Sequence, residues 1–104
     1  MKQFDVYDVN LDPARGSEIK KKRPAVIISP DIMNKHLNTV IIAPLTHTIK
    51  GYPSRVASRF KNEPGEIALD QIRAVDKARL VRKVGKLGKT TADEIKVVLG
   101  VMFG

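Results

Sequence analysis

Between Phe4 and Leu11, the side chains of Tyr7, Val9 and Leu11 share one side of an extended chain with Asp5, while Phe4 and Val6 fall on the other. Successive strand side chains point to opposite faces, so this imperfect alternation predicts a first strand partly buried on both faces. Asp12-Pro13-Ala14-Arg15-Gly16 carries turn chemistry, proline presetting φ and glycine accepting positive φ, and opens a loop predicted to last until about Lys22. Ala25 to Ser29 and Thr39 to Pro44 are short, apolar, β-branched runs bounded by prolines. At that length they predict buried strands rather than helices, with one or two helical turns between them over Asp31 to Leu37. Thr46 to Ser54, with Gly51 and Pro53, reads as a polar loop. Further strands are predicted near Arg55 to Phe60, Glu66 to Asp70 and Leu80 to Val84, with Pro64-Gly65 as a turn. The period then changes: Ile95, Val98, Leu99 and Met102 recur at helical spacing behind a Thr91-x-x-Glu94 capping box. One helix should pack on the sheet.

Many short strands with turn signals and a single terminal helix predict a mainly β chain, a small SH3-like barrel that is partly open, as one domain over residues 1–104. With no cysteine there are no disulfides, thiolate metal sites or cysteine nucleophiles. MKQFDVYDVN has acids where a signal peptide needs an apolar run, and no segment approaches the roughly 20 apolar residues of a membrane helix. The expectation is a cytoplasmic protein with no membrane partner.

Charge sharpens the picture. Nineteen Lys and Arg against eleven Asp and Glu give a net charge of +8 and a pI near 10.0, which points to a polyanionic partner, nucleic acid first. KARLVRKVGKLGK, from Lys77 to Lys89, holds six cations and no acid, so it should form a basic strip whose field is not cancelled locally. A second run, Lys20-Lys21-Lys22-Arg23, leads straight into Pro24 and an apolar strand. His36 and His47 are the only histidines, too few for a histidine metal site, so the groups left for catalysis are Arg, Lys, Glu, Asp, Ser and Thr. Such a set suits phosphoryl chemistry on RNA, where the 2′-hydroxyl is the nucleophile and the protein positions, deprotonates and neutralises.

DPARGSE, KKRPAVIIS, IIAPLT, KGYP and ALDQIRAVD, in this order from about Val6 to the terminal helix, resemble the MazF/PemK family of toxin endoribonucleases. The resemblance implies a homodimeric SH3-like barrel that cuts single-stranded RNA at short sequences without metal or other cofactor. It implies a 2′,3′-cyclic phosphate and a 5′-hydroxyl as products, and silencing by a cognate antitoxin, which should be acidic where it docks on these cations. Arg23 matches the family's Arg-Pro arginine and is the first catalytic candidate, through charge stabilisation rather than as a base; otherwise it is a solvated loop cation. Thr46 matches the threonine at the scissile phosphate; otherwise its hydroxyl satisfies its own backbone. Glu18 is the candidate to accept the 2′-hydroxyl proton or else a surface charge, and Ser17 stands where some members carry histidine. Asp70 and Gln71 match the family's Asp-Gln pair, although Ala68 replaces the arginine that certain members carry; both are assigned to RNA binding. Lys20, Lys22, His47 and Lys50 complete the RNA-binding candidates, and Tyr52 and Arg55 on the same loop as Lys50 fit a single-strand platform of one aromatic among cations. The rival readings are a non-cleaving toxin on the same fold, like the gyrase poison CcdB, and a small basic RNA-binding module.

Overall fold

The structure, a computed structural model, describes residues 1–11 and 22–104. Seven strands, β1 (Asp5–Asn10), β2 (Lys22–Ile27), β3 (Thr39–Thr46), β4 (Arg55–Phe60), β5 (Glu63–Ala68), β6 (Arg73–Asp76) and β7 (Leu80–Lys86), form one curled antiparallel sheet. Its order is β4-β5-β3-β2-β1-β7, with β6 also on β3. Helices α1 (Asp31–His36) and α2 (Lys89–Phe103) complete the fold, which is the partly open, mainly β barrel with a C-terminal helix that the pattern predicts.

β3 organises the molecule because it belongs to both halves of the sheet. Its first residues pair with β6, Thr39 opposite Asp76 and Ile42 opposite Arg73, while Leu45 and Thr46 pair with Ile67 and Glu66 of β5. Ala43 and Pro44 lie where β3 leaves one neighbour and takes up the other, a place where a missing proline N–H breaks no ladder on that edge. On the opposite edge β2 runs alongside, Ala25 opposite Pro44 and Ile27 opposite Ile42.

Both faces of the inner strands are buried, which explains the continuous apolar runs. Val6, Val26, Ala43, Val56, Ile67 and Leu69 pack on one side with Ile95 of α2, joined by Val98, Leu99 and Met102 from the same helical face. Val9, Ala25, Ile27, Val40, Ile42 and Val75 pack on the other with Tyr7, Leu11 and Leu80. Each fully buried aliphatic side chain contributes about 1.5–3 kcal/mol.

Three expectations are corrected and one strand is added. Pro64 and Gly65 lie inside β5, not in a turn; the β4–β5 hairpin turns at Lys61-Asn62, both at positive φ (52° and 64°), the two-residue geometry that matches strand twist. β2 starts at Lys22 rather than Ala25, so Lys22, Arg23 and Pro24 are strand residues opposite Asn10, Val9 and Asp8 of β1. The Thr91-Glu94 capping box does not form, because α2 already begins at Lys89 behind Gly88, whose carbonyl accepts the Ala92 N–H at 3.0 Å. β6 was not foreseen: four residues, Arg-Ala-Val-Asp, offer too short a pattern, and pairing with β3 is what makes them a strand. The predicted loop over 12–21 lies outside the described residues.

Candidate active site

The antiparallel register of β2 on β3, continued beyond Ala25 and Pro44, brings Arg23 beside Thr46 at the end of the sheet. Two clefts meet there. The first, about 550 Å³, is walled by Lys22, Arg23, Thr46, His47, Phe60 and Glu63; the second, about 510 Å³, by Arg23, Thr46, Lys50, Arg55, Gln71 and Arg73. Arg23 and Thr46 line both, so they stand on the divide. Arg23 is exposed, and among the described residues no carboxylate lies within ion-pair reach of it.

Thr46 is held from two directions. Its Oγ1 accepts the Thr48 N–H at 3.1 Å, which occupies a lone pair and leaves the hydroxyl hydrogen free to donate. Across the ladder, Gly65 of β5 approaches so closely that a Cβ there would collide with the Thr46 carbonyl oxygen. Glycine at 65 is therefore what lets β5 seat the end of β3.

His47 follows on the rim of the first cleft, its Nε2 at 3.3 Å from Glu63 Oε2, both side chains about two-thirds exposed. Lys50 and Gln71 line the second cleft. Asp70 lines neither; Arg55 Nε donates to its Oδ1 at 2.7 Å and Ser54 Oγ at 3.0 Å, so its carboxylate is already engaged. Ser17, Glu18 and Lys20 lie outside the described residues.

Arg55 was read as an RNA-facing cation, and the structure corrects this. Its side chain is only 6% exposed, and its three nitrogens donate to Asp70 and Glu66 while the Tyr52 ring covers the guanidinium with its centroid 5.2 Å away. Glu66, also 6% exposed at its side chain, takes the Lys50 and Gly51 backbone N–H groups at 2.9 Å each. These contacts act on ionisation. The Lys50 N–H, aided by Gly51 and Arg55, holds the Glu66 carboxyl below its ordinary range against the cost of burial. The Arg55 hydrogen bond does the same for Asp70, and Asp70 in return raises Arg55. Glu66 was not a candidate in the sequence. The available signal was an acid placed between Gly65 and the apolar run Ile67-Ala68-Leu69, where a charge must find partners.

The basic strip is also corrected. Arg82 Nε pairs with Asp8 Oδ2 at 3.2 Å, Lys83 Nζ with Asp5 Oδ1 at 3.3 Å and Lys89 Nζ with Asp93 Oδ2 at 2.7 Å. The partners lie on β1, distant in sequence, and one turn into α2. Among the described residues no three His, Cys, Asp or Glu side chains converge as metal ligands, and no helix is long and apolar enough to cross a membrane.

The family model for PemK-like, MazF-like toxins of type II toxin-antitoxin systems matches residues 2–103. The chain is 36% identical over 110 residues to Endoribonuclease MazF of Staphylococcus saprophyticus subsp. saprophyticus, covering 100% of this chain and 92% of that protein. It is 32% identical over 101 residues to Endoribonuclease toxin MazF of Escherichia coli K12, covering 96% and 91%. Its fold superposes on a mycobacterial endoribonuclease solved in complex with its cognate antitoxin, with a TM-score of 0.81 at 24% identity over 97% of this chain and 92% of that one.

Proposed function

Because the chain belongs to the PemK-like, MazF-like toxins of type II toxin-antitoxin systems, we propose that it cuts single-stranded RNA by attack of the substrate's own 2′-hydroxyl, without metal or other cofactor. The enzyme is an endoribonuclease. The observation that carries the finer reading is the position of Arg23 and Thr46 on the divide between two clefts. A strand of RNA crossing that divide would place one phosphate against both residues and the nucleotides on either side in separate clefts.

The chemistry follows from the donors. The 2′-oxygen bonds to phosphorus and the bond from phosphorus to the 5′-oxygen breaks, leaving a 2′,3′-cyclic phosphate and a 5′-oxygen that takes a proton from water. In the phosphorane between these states the non-bridging oxygens gain negative charge, which the Arg23 guanidinium and the Thr46 hydroxyl are placed to meet. Arginine stays protonated, so it contributes charge and hydrogen bonds rather than accepting the 2′ proton. Glu18, by resemblance, takes that proton. Ser17, Lys20, Lys22, His47 and Lys50 hold the RNA, with Gln71 supplying both an amide donor and acceptor to an unpaired base. Asp70 contributes through Arg55 and Ser54 rather than through a base edge.

The active form is a cytoplasmic homodimer of one domain per chain, and a cognate antitoxin silences it with an acidic segment laid over the same cations. The test is incubation of the purified protein with a long RNA in EDTA, followed by mapping of the ends. Fragments with cyclic phosphate and 5′-hydroxyl ends support the reading. Intact RNA, or 5′-phosphate ends that need magnesium, would sink it.

A further inference from the structure

Glu66 is a buried acid to which RNA cleavage itself gives no role, and it is the cross-strand partner of Thr46. The chain leaves β3 at Thr46, passes through His47, Thr48 and Ile49, and returns its Lys50 and Gly51 N–H groups to the two oxygens of Glu66, one to each. The segment from 46 to 51 is thus closed on its own strand neighbour. Gly51, at φ 67°, then turns the chain through the left-handed region that glycine adopts without strain. Arg55 then bridges Glu66 to Asp70, and Tyr52 covers the guanidinium.

We propose that Glu66 is a positioning residue for RNA cleavage: its carboxylate fixes the Lys50–Gly51 backbone and so sets Lys50 over the second cleft, with Arg55 as its counter-ion rather than an RNA contact. This rests on the reading of Lys50 as an RNA-binding residue. The chemistry requires the ionised acid, because both oxygens of Glu66 must accept. In Glu66→Gln one acceptor becomes an NH2 donor facing a backbone N–H, and that arm of the clamp opens although the side-chain volume is unchanged.

Kinetics on a short RNA substrate separate this role from bulk stability. Glu66→Gln should raise KM about tenfold with kcat changed by no more than about twofold, and should lower the salt slope of binding by about 0.7, as Lys50→Ala does. In a Lys50→Ala background the further effect of Glu66→Gln on KM should fall to about twofold or less, because both changes remove the same contact. A drop in kcat at unchanged KM, or effects that simply multiply in the double variant, would overturn the proposal. Should Glu66→Gln fail to fold, amide exchange in the unaltered protein decides: Lys50 and Gly51 should be protected relative to Ile49, and equal exchange at all three overturns the clamp. If the unaltered protein does not cut RNA, the cleavage reading fails on its own count, and the exchange pattern still judges the clamp.

Discussion

Along β7, Arg82 and Lys83 reach across to Asp8 and Asp5 of β1, and Arg79, just before β7, donates to the Asn10 carbonyl; around the ends of β2 and β3, Lys22 and Arg23 with Lys50 of the following loop and Arg73 of β6 line the two clefts with no carboxylate in ion-pair reach among the described residues. The first region belongs to a strip of six cations between Lys77 and Lys89, yet its charge is partly answered by the neighbouring strand. The second leaves its charge available to a polyanion. Arg55 is a third case, a cation buried between two acids that shapes the loop beside the clefts. What a cation can do depends on which acids the fold sets beside it, and those acids are remote in sequence.

The sharpest way to break this contrast is to delete one arginine from each region. Arg23→Ala should lower the rate of RNA cleavage by about 10²–10³-fold, the size expected when a donor to a charged transition state is lost. Arg82→Ala removes only an exposed pair and should change the rate by less than about twofold. Comparable losses in the two variants would erase the distinction.

Gly65→Ala probes the same end of the sheet through the backbone. The added Cβ has to displace the Thr46 carbonyl, so stability should fall by about 1–3 kcal/mol and cleavage by about tenfold. Thermal melts and single-turnover rates measure the two; unchanged values would mean that β5 does not hold Thr46 in place. Smaller still is the salt effect. Replacing Lys22 or Lys50 by Ala should each reduce the slope of log binding constant against log salt by about 0.7, and replacing Lys83 should leave it unchanged.

The buried arginine gives the weakest signal, one present at neutral pH and lost in acid. Glu66 and Asp70 titrate lower when folded than when unfolded. Their stabilisation is therefore complete above the ordinary carboxylate range, about pH 4, and is lost as the pH falls through the lower, folded values. Asp70→Asn should be less stable than the unaltered protein at pH 7, and the gap should close as the pH drops below the ordinary carboxylate range, measured by chemical denaturation. A gap that stays constant with pH would show that Arg55 gains nothing from the charge on Asp70.

Much of the fold was legible because its signals are local. β3, β4 and α1 begin where the apolar runs and prolines place them, and the Ile95, Val98, Leu99 and Met102 face of α2 meets the core. The failures are equally local in origin. Pro64-Gly65 has turn composition, but Lys61-Asn62 adopts the turn because the β4–β5 register demands positive φ at both positions. In the site, Arg23, Thr46, Lys22, His47, Lys50 and Gln71 gather around two clefts from segments as far apart as β2 and the turn after β5. The Glu66, Arg55 and Asp70 network was not legible, because its bonds span 11 to 16 residues and no pattern along the chain marks which acid meets which base.

The central claim is that RNA meets the cleft end of the sheet and not the β7 strip. Backbone amide shifts of the protein, titrated with a short single-stranded RNA carrying 2′-deoxy sugars so that it binds without being cut, test it directly. Shifts concentrated at Lys22, Arg23, Thr46 to Lys50 and Gln71, with Arg82, Lys83 and Lys86 unmoved, are the predicted result. Shifts centred on Arg82, Lys83 and Lys86, with Arg23 and Thr46 silent, would contradict it.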